Sequence, residues 1–150
     1  MSRRIGLIIG FALAVGLIAV GWITTGESEA GKIKKTKTAF VILLNRIEGY
    51  KAKFRAYPTG TGAEGAPELV QALSMMEINV KGLIGKDLCP RNMTIQDAWG
   101  HPIRYYFNPS GRTVGGGYDA LFQQNNCAPL LVSPGPNGTF DGGGDDIIVP

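Results

Sequence analysis

Nineteen consecutive residues, Ile5 to Ile23, carry no charge, and Ser2-Arg3-Arg4 precedes them. A helix of that length crosses the hydrocarbon core of a bilayer, which about 20 apolar residues span. A cleaved signal peptide is the rival reading, because Ser28-Glu29-Ala30 offers a small-residue cleavage pattern. Secretory apolar regions usually run about 7–15 residues, so the longer run favours an uncleaved anchor over residues 1–26. Arg3 and Arg4 favour an N-terminus inside, although Lys32, Lys34, Lys35 and Lys37 on the other flank nearly balance the charge bias.

The cysteines bear on the same question. Cys89 and Cys127 are the chain's two cysteines, with no CxxC pair and a single His. A structural zinc site needs four such ligands, so zinc is excluded. An isolated pair in a small domain reads as one disulfide in an oxidising compartment, the alternative being two buried free thiols. The disulfide reading places the domain outside the cytoplasm.

Beyond the anchor, about 120 residues remain, enough for one domain with a modest core. Ala39, Ile42, Leu43, Ile47, Tyr50 and Phe54 recur at helical spacing and predict an amphipathic helix within residues 27–58. Phe40, Val41 and Leu44 widen its apolar arc beyond what one packed face needs, as a second helix packing there would require. A helix continuous from Ile5 to Tyr57 would run about 80 Å. Gly26 and Gly31 weaken that continuity, and Thr24 with Glu27 forms a capping pattern for a fresh start. Tyr57-Pro58 is the expected end, and Gly60, Gly62 and Gly65 predict a loop. A short helix follows with Pro67 in its first turn and Leu69, Val70 and Leu73 inward. Residues 79–98 read as irregular. Residues 103–107, 118–122 and 130–132 read as short strands, the first opened by the turn Trp99-Gly-His-Pro102. The fold class is α+β: one long helix and one short helix on a small antiparallel sheet, with residues 59–150 as the globular region.

Charge is unevenly spread. Residues 32–55 carry eight Lys or Arg against Glu48 alone, and no Lys or Arg follows Arg112. A basic helix just past a membrane can touch anionic headgroups. No aromatic or glycine signature accompanies the charge, so nucleic acid is not an expected partner. At the acidic end, Asn137, Asp141, Asp145 and Asp146 sit in a loop of glycines and prolines. Carboxylates so close repel one another unless a cation lies among them, and Ca²⁺ accepts six to eight oxygens at irregular spacing. The loop is not an EF-hand, because a loop starting at Asn137 has Ile148 where a bidentate Glu belongs. Its single Gly-Gly-Gly-Asp run also lacks the stacking of a β-helix repeat.

In order along the chain stand Tyr50-Lys51, Arg55-Ala-Tyr-Pro58, Asp97-Ala-Trp-Gly-His-Pro102 with Tyr105, Leu131-Val-Ser-Pro-Gly-Pro-Asn-Gly138 and Gly144-Asp-Asp-Ile147. With the apolar N-terminal segment, these blocks resemble the major, G-type pseudopilin of bacterial type II secretion, over nearly the whole chain past residue 40. Ala98 and His101 depart from the family's Asp-Pro-Trp-Gly-Asn-Pro. The resemblance implies a pilin-like fold and a C-terminal loop that holds Ca²⁺. Its ligands would be the side chains of Asn137, Asp145 and Asp146 with the carbonyls of Leu131 and Ser133, Asn137 replacing the family's usual Asp. Asp141 is a further oxygen nearby, outside the family pattern. It also implies other pseudopilins or secretion-apparatus proteins as partners, a homo-oligomer among them, and an inner-membrane location with the domain periplasmic. The N-terminus departs from the family: Arg4-Ile-Gly-Leu7 is not a prepilin cleavage site, and no acid precedes Glu27.

No enzymatic activity is expected. His101 has no Ser or Cys motif paired with it, and Glu64 and Glu68 straddle a glycine-rich loop. The expected function is a pseudopilin-like structural component of a secretion or pilus-like envelope machine. The alternatives are a membrane-tethered monomeric calcium-binding module and a cleaved, secreted binding domain.

Overall fold

The computed structural model describes residues 26–91 and 93–149. The expected anchor, residues 1–26, lies outside them except for Gly26, which is not helical. Among the described residues, no helix is long and apolar enough to cross a membrane.

Helix α1, Glu29–Phe54, begins at Ser28, whose extended backbone and side chain accepting from Gly31 N form an N-cap. The helix therefore begins after a non-helical stretch at residues 26–28, with Ser28 as its cap; Thr24, expected as a cap, lies outside the described residues. It ends at Phe54, four residues before Pro58, because Arg55 adopts a left-handed conformation (φ 63°) and its N–H donates to Lys51 O. Its buried residues are Thr36, Ala39, Phe40, Leu43 and Ile47. Ala39, Leu43 and Ile47 of the expected stripe are buried, but the core-facing stripe is rotated at its edges: Thr36 and Phe40 join it, whereas Phe54 is 39% exposed.

Four antiparallel strands follow in the spatial order β1-β2-β3-β4: Gly60–Glu64, Arg104–Phe107, Leu130–Ser133 and Ile147–Val149. Helices α2 (Pro67–Ser74) and α3 (Val80–Ile84) lie between β1 and β2, and α4 (Asp119–Gln124) between β2 and β3. Leu69, Val70 and Leu73 of α2 point inward as expected.

Four segments depart from the expected elements. Residues 79–98, expected to be irregular, include helix α3, whose start is capped by the Asn79 side chain accepting from Gly82 N. The glycine-rich segment expected to be a loop is strand β1, with an irregular register between Thr61 and Glu64. A Cβ at Gly60 would run into the Tyr105 ring, so glycine lets the strand lie flat against a buried aromatic. Residues 118–122, expected as a strand, lead into α4: Tyr118 and Phe122 are four apart and both buried, a helical rather than an alternating spacing. Residues 147–149, not among the expected strands, pair with β3.

The pleat sorts the sheet into two cores. Tyr105, Leu131 and Ile147 face α1, α2 and α3, joining Phe40, Leu43, Ile47, Leu69 and Leu73. Tyr106, Leu130, Val132 and Ile148 face the other way, against Tyr118, Phe122 and Phe140. This division overturns the expected disulfide. Cys89 lies buried in the first core and Cys127 packs on the second, so the sheet stands between two free thiols.

Candidate metal centre in the C-terminal loop

The acidic residues lie in the connection between β3 and β4, residues 134–146. Its base is fixed by a carboxylate from elsewhere. Asp97 is 1% exposed. Its Oδ2 accepts from Ser133 Oγ at 2.7 Å, and its Oδ1 accepts from the backbone N–H groups of Trp99 and His101, both at 2.9 Å. Ser133 Oγ in turn accepts from Gly135 N at 3.1 Å. His101 Nδ1 lies 3.0 Å from Gly135 O, which as a carbonyl can only accept, so Nδ1 carries the proton. One buried carboxylate thus joins the turn 97–101 to the end of β3. The same turn is held to α1, where Ala98 N donates to Thr36 Oγ1 at 3.1 Å and Trp99 Nε1 to Glu29 Oε2 at 3.0 Å. His101 is therefore a turn residue with a structural bond; Ser133 bonds to Asp97 and not to the imidazole, so no nucleophile–base pair forms. The sequence block Asp97-x-Trp-Gly-His was visible, but Asp97's role was not, because its main partner lies 36 residues away.

Within the loop the four predicted side chains divide. Asp145 turns to Asn137, which donates to its two carboxylate oxygens from Nδ2 and, at 3.2 Å, from its backbone N–H. Asn137 Oδ1 accepts from Thr139 N at 2.6 Å. Asp146 turns the other way, its Oδ2 accepting from Tyr118 OH at 2.7 Å and Gly142 N at 3.1 Å. Asp141 accepts from Gly143 N at 3.1 Å and closes its own local turn. Leu131 and Ser133 lie on β3, registered opposite Val149 and Ile147. Gly135 is required by the fold of the loop: its φ is 65°, and a Cβ there would strike the Asp145 carbonyl. Burial, then the hydrogen bond to the Asp146 carboxylate, pushes the Tyr118 phenol well above its ordinary value, so it remains a donor.

The structure brings Asn137 and Asp145 together and sets Asp146 and Asp141 apart from them. Among the described residues, no three Asp, Glu, His or Cys side chains are grouped as a metal site. One oxygen nevertheless suits a cation. Asp146 Oδ1 is buried and has no hydrogen-bond partner, which is costly for a carboxylate oxygen. The donors at hand are all oxygens, suited to a hard cation rather than to a transition metal. No family model, curated protein or solved structure matches the chain.

Proposed function

We propose that this chain is a pseudopilin-like structural subunit of a type II secretion or related pilus-like envelope machine, anchored in the inner membrane through residues 5–23, with its domain outside the cytoplasm. The observation that carries the reading is architectural. Among the described residues, one long helix packs along an antiparallel four-stranded sheet, and the acidic loop spans the last two strands, in the order the sequence blocks imply. Ca²⁺ would be held by Asp146, whose Oδ1 lacks a partner, with nearby carbonyls, and by Asp145 and Asn137 once they release each other and turn toward it. The chain's own residues do the rest: Tyr118 and Gly142 orient Asp146, and Asp97 fixes the strand end from which the loop departs.

The non-helical residues 26–28 and the capped start of α1 at Ser28 favour a second reading, a monomeric membrane-tethered calcium-binding module. A separate anchor and helix need no assembly contact. The two are separated by cross-linking the full chain in its native membranes and identifying the products by mass spectrometry. Adducts with pseudopilins of a secretion apparatus are expected, whereas uncross-linked chain throughout would leave the monomeric module. A mature N-terminus at Gly31 would refute the anchor in both readings.

A further inference from the structure

We infer that the first half of α1 lies on the anionic headgroups of the membrane that holds the anchor, through a stripe of Ala30, Lys34, Lys37 and Val41 flanked by Ile33. This rests on the proposed anchor at residues 5–23. The stripe residues follow one another at four, three and four positions, so they share one side of the helix. That side is not the core side, which Thr36, Phe40, Leu43 and Ile47 occupy. Ala30, Lys34 and Lys37 are exposed, and Val41 is 51% exposed, one of the few large apolar side chains left in water. A line of two lysines between Ala30 and Val41, flanked by the half-buried Ile33, can rest in a bilayer interface with its apolar atoms and lysine stems inward and its ammonium groups at the phosphates.

The surrounding charges agree. Lys35 is already matched by Glu27 at 3.6 Å and Asp87 at 3.7 Å, and Glu29 is drawn to Trp99. Lys34 and Lys37 make no ion pair among the described residues. The helix start therefore presents positive charge with its nearby acids turned to other partners.

Chain length supplies the occupant. Ala30 is seven residues beyond Ile23, and seven residues reach at most about 25 Å even when extended. Residues 26–28 are not helical, and Ser28 caps the start of α1, so α1 is free to leave the anchor's direction. A helix turned along the surface places Lys34, Lys37 and Val41 on the headgroups, since Val41 is only about 16 Å further along its axis than Ala30. A juxtamembrane lysine gains about fivefold in binding to an anionic surface.

The test uses the full chain with Val41→Cys, Cys89→Ala and Cys127→Ser, carrying a polarity-sensitive fluorophore at position 41. It is reconstituted with phosphatidylcholine vesicles or with vesicles containing phosphatidylglycerol. Flotation reads the anchor, and emission with aqueous quenching reads the stripe. The expected result is flotation on both vesicles, with position 41 protected on the anionic ones alone. Adding Lys34→Gln and Lys37→Gln should lower the protected population by on the order of 25-fold, and high salt should act in the same direction. Flotation on both vesicles with position 41 equally quenched overturns the stripe and leaves the anchor. Flotation on anionic vesicles alone, with position 41 protected, overturns the anchor and supports the stripe. No flotation on either overturns both. Equal protection on both vesicles overturns the lipid inference, and disulfide cross-links between unlabelled position-41 cysteines in a parallel sample would then assign the stripe to a second copy.

Discussion

At the scale of single residues, two buried polar groups organise the acidic end of the chain, and neither was legible as such. Asp97 sits in a recognisable turn sequence, but the hydroxyl it accepts from belongs to Ser133, and no local pattern announces a pairing across the fold. Tyr118 read as one apolar residue of a strand. Its hydroxyl proves to hold Asp146 at 2.7 Å. Removing the Asp97 carboxylate strands the Ser133 hydroxyl and two backbone N–H groups in a buried site. Asp97→Ala should therefore cost roughly 3 kcal/mol in a urea titration of a soluble fragment beginning at Gly26. Asp97→Asn keeps one acceptor oxygen and should cost distinctly less. Tyr118 and Tyr105 give a pH signature, because burial raises both phenols above their ordinary value. A group whose folded pKa is raised contributes stability that is fully present below the unfolded pKa, near 10 for a phenol, and is lost as pH rises above it. Stability should fall with rising pH above about 10, and Tyr118→Phe should flatten that fall. An unchanged slope in the variant would exclude Tyr118 as a source of it.

Among the elements, the strongest signals were the most readable and the mistakes have physical causes. The helix at α1 follows from apolar spacing, and α2, β2 and β3 from a helical first-turn proline and short apolar runs. The rotation of the α1 stripe was not readable, because Phe40, Val41 and Leu44 are as apolar as the residues expected inward. Which of them faces the core is decided by the sheet, where Tyr105, Leu131 and Ile147 wait for Phe40 and Leu43. Strand β1 was hidden by its glycines, which read as a loop but serve close approach to Tyr105 and Tyr106. Strand β4 is three residues long and draws its order from pairing with β3, which local sequence does not record. The rotated stripe makes a contrast that can be measured. Phe40→Ala should cost about 3–5 kcal/mol by denaturant titration. Phe54→Ala, which removes a half-exposed ring stacked on Tyr50, should cost less than about 1 kcal/mol. Equal costs would restore the stripe expected from spacing alone.

For the whole molecule, the sheet is both the divider and the link. It separates the thiols, so native protein should show two alkylatable cysteines and no change in melting temperature with reductant. Cys127, only partly buried, should react before Cys89, whose thiol burial pushes above its ordinary value. A cross-linked Cys89–Cys127 peptide in a non-reducing map would contradict this topology. The same sheet joins the acidic loop to both cores. Strand β4 places Ile147 against the α1 side and Ile148 against the Tyr118 side, and the loop adds Phe140, over whose ring Arg104 lies at 3.9 Å. The loop's two ends are thus strand ends shared by both hydrophobic clusters, so ordering it should tighten the whole domain rather than a surface turn. Under the proposed calcium reading, binding to the folded state alone should stabilise the domain by about 2.7 kcal/mol at a hundredfold excess over the dissociation constant. That gain should appear as one cooperative shift of the main thermal transition between EDTA and millimolar Ca²⁺. Asp145→Ala and Asp146→Ala should each abolish it. Asp141→Ala should matter little, because its carboxylate closes a separate turn on Gly143. Mg²⁺ should substitute poorly, since it demands tighter octahedral geometry than an irregular loop provides. A transition that stays in place on addition of Ca²⁺, in protein purified free of calcium, would refute the metal centre while leaving the fold and its two cores as described.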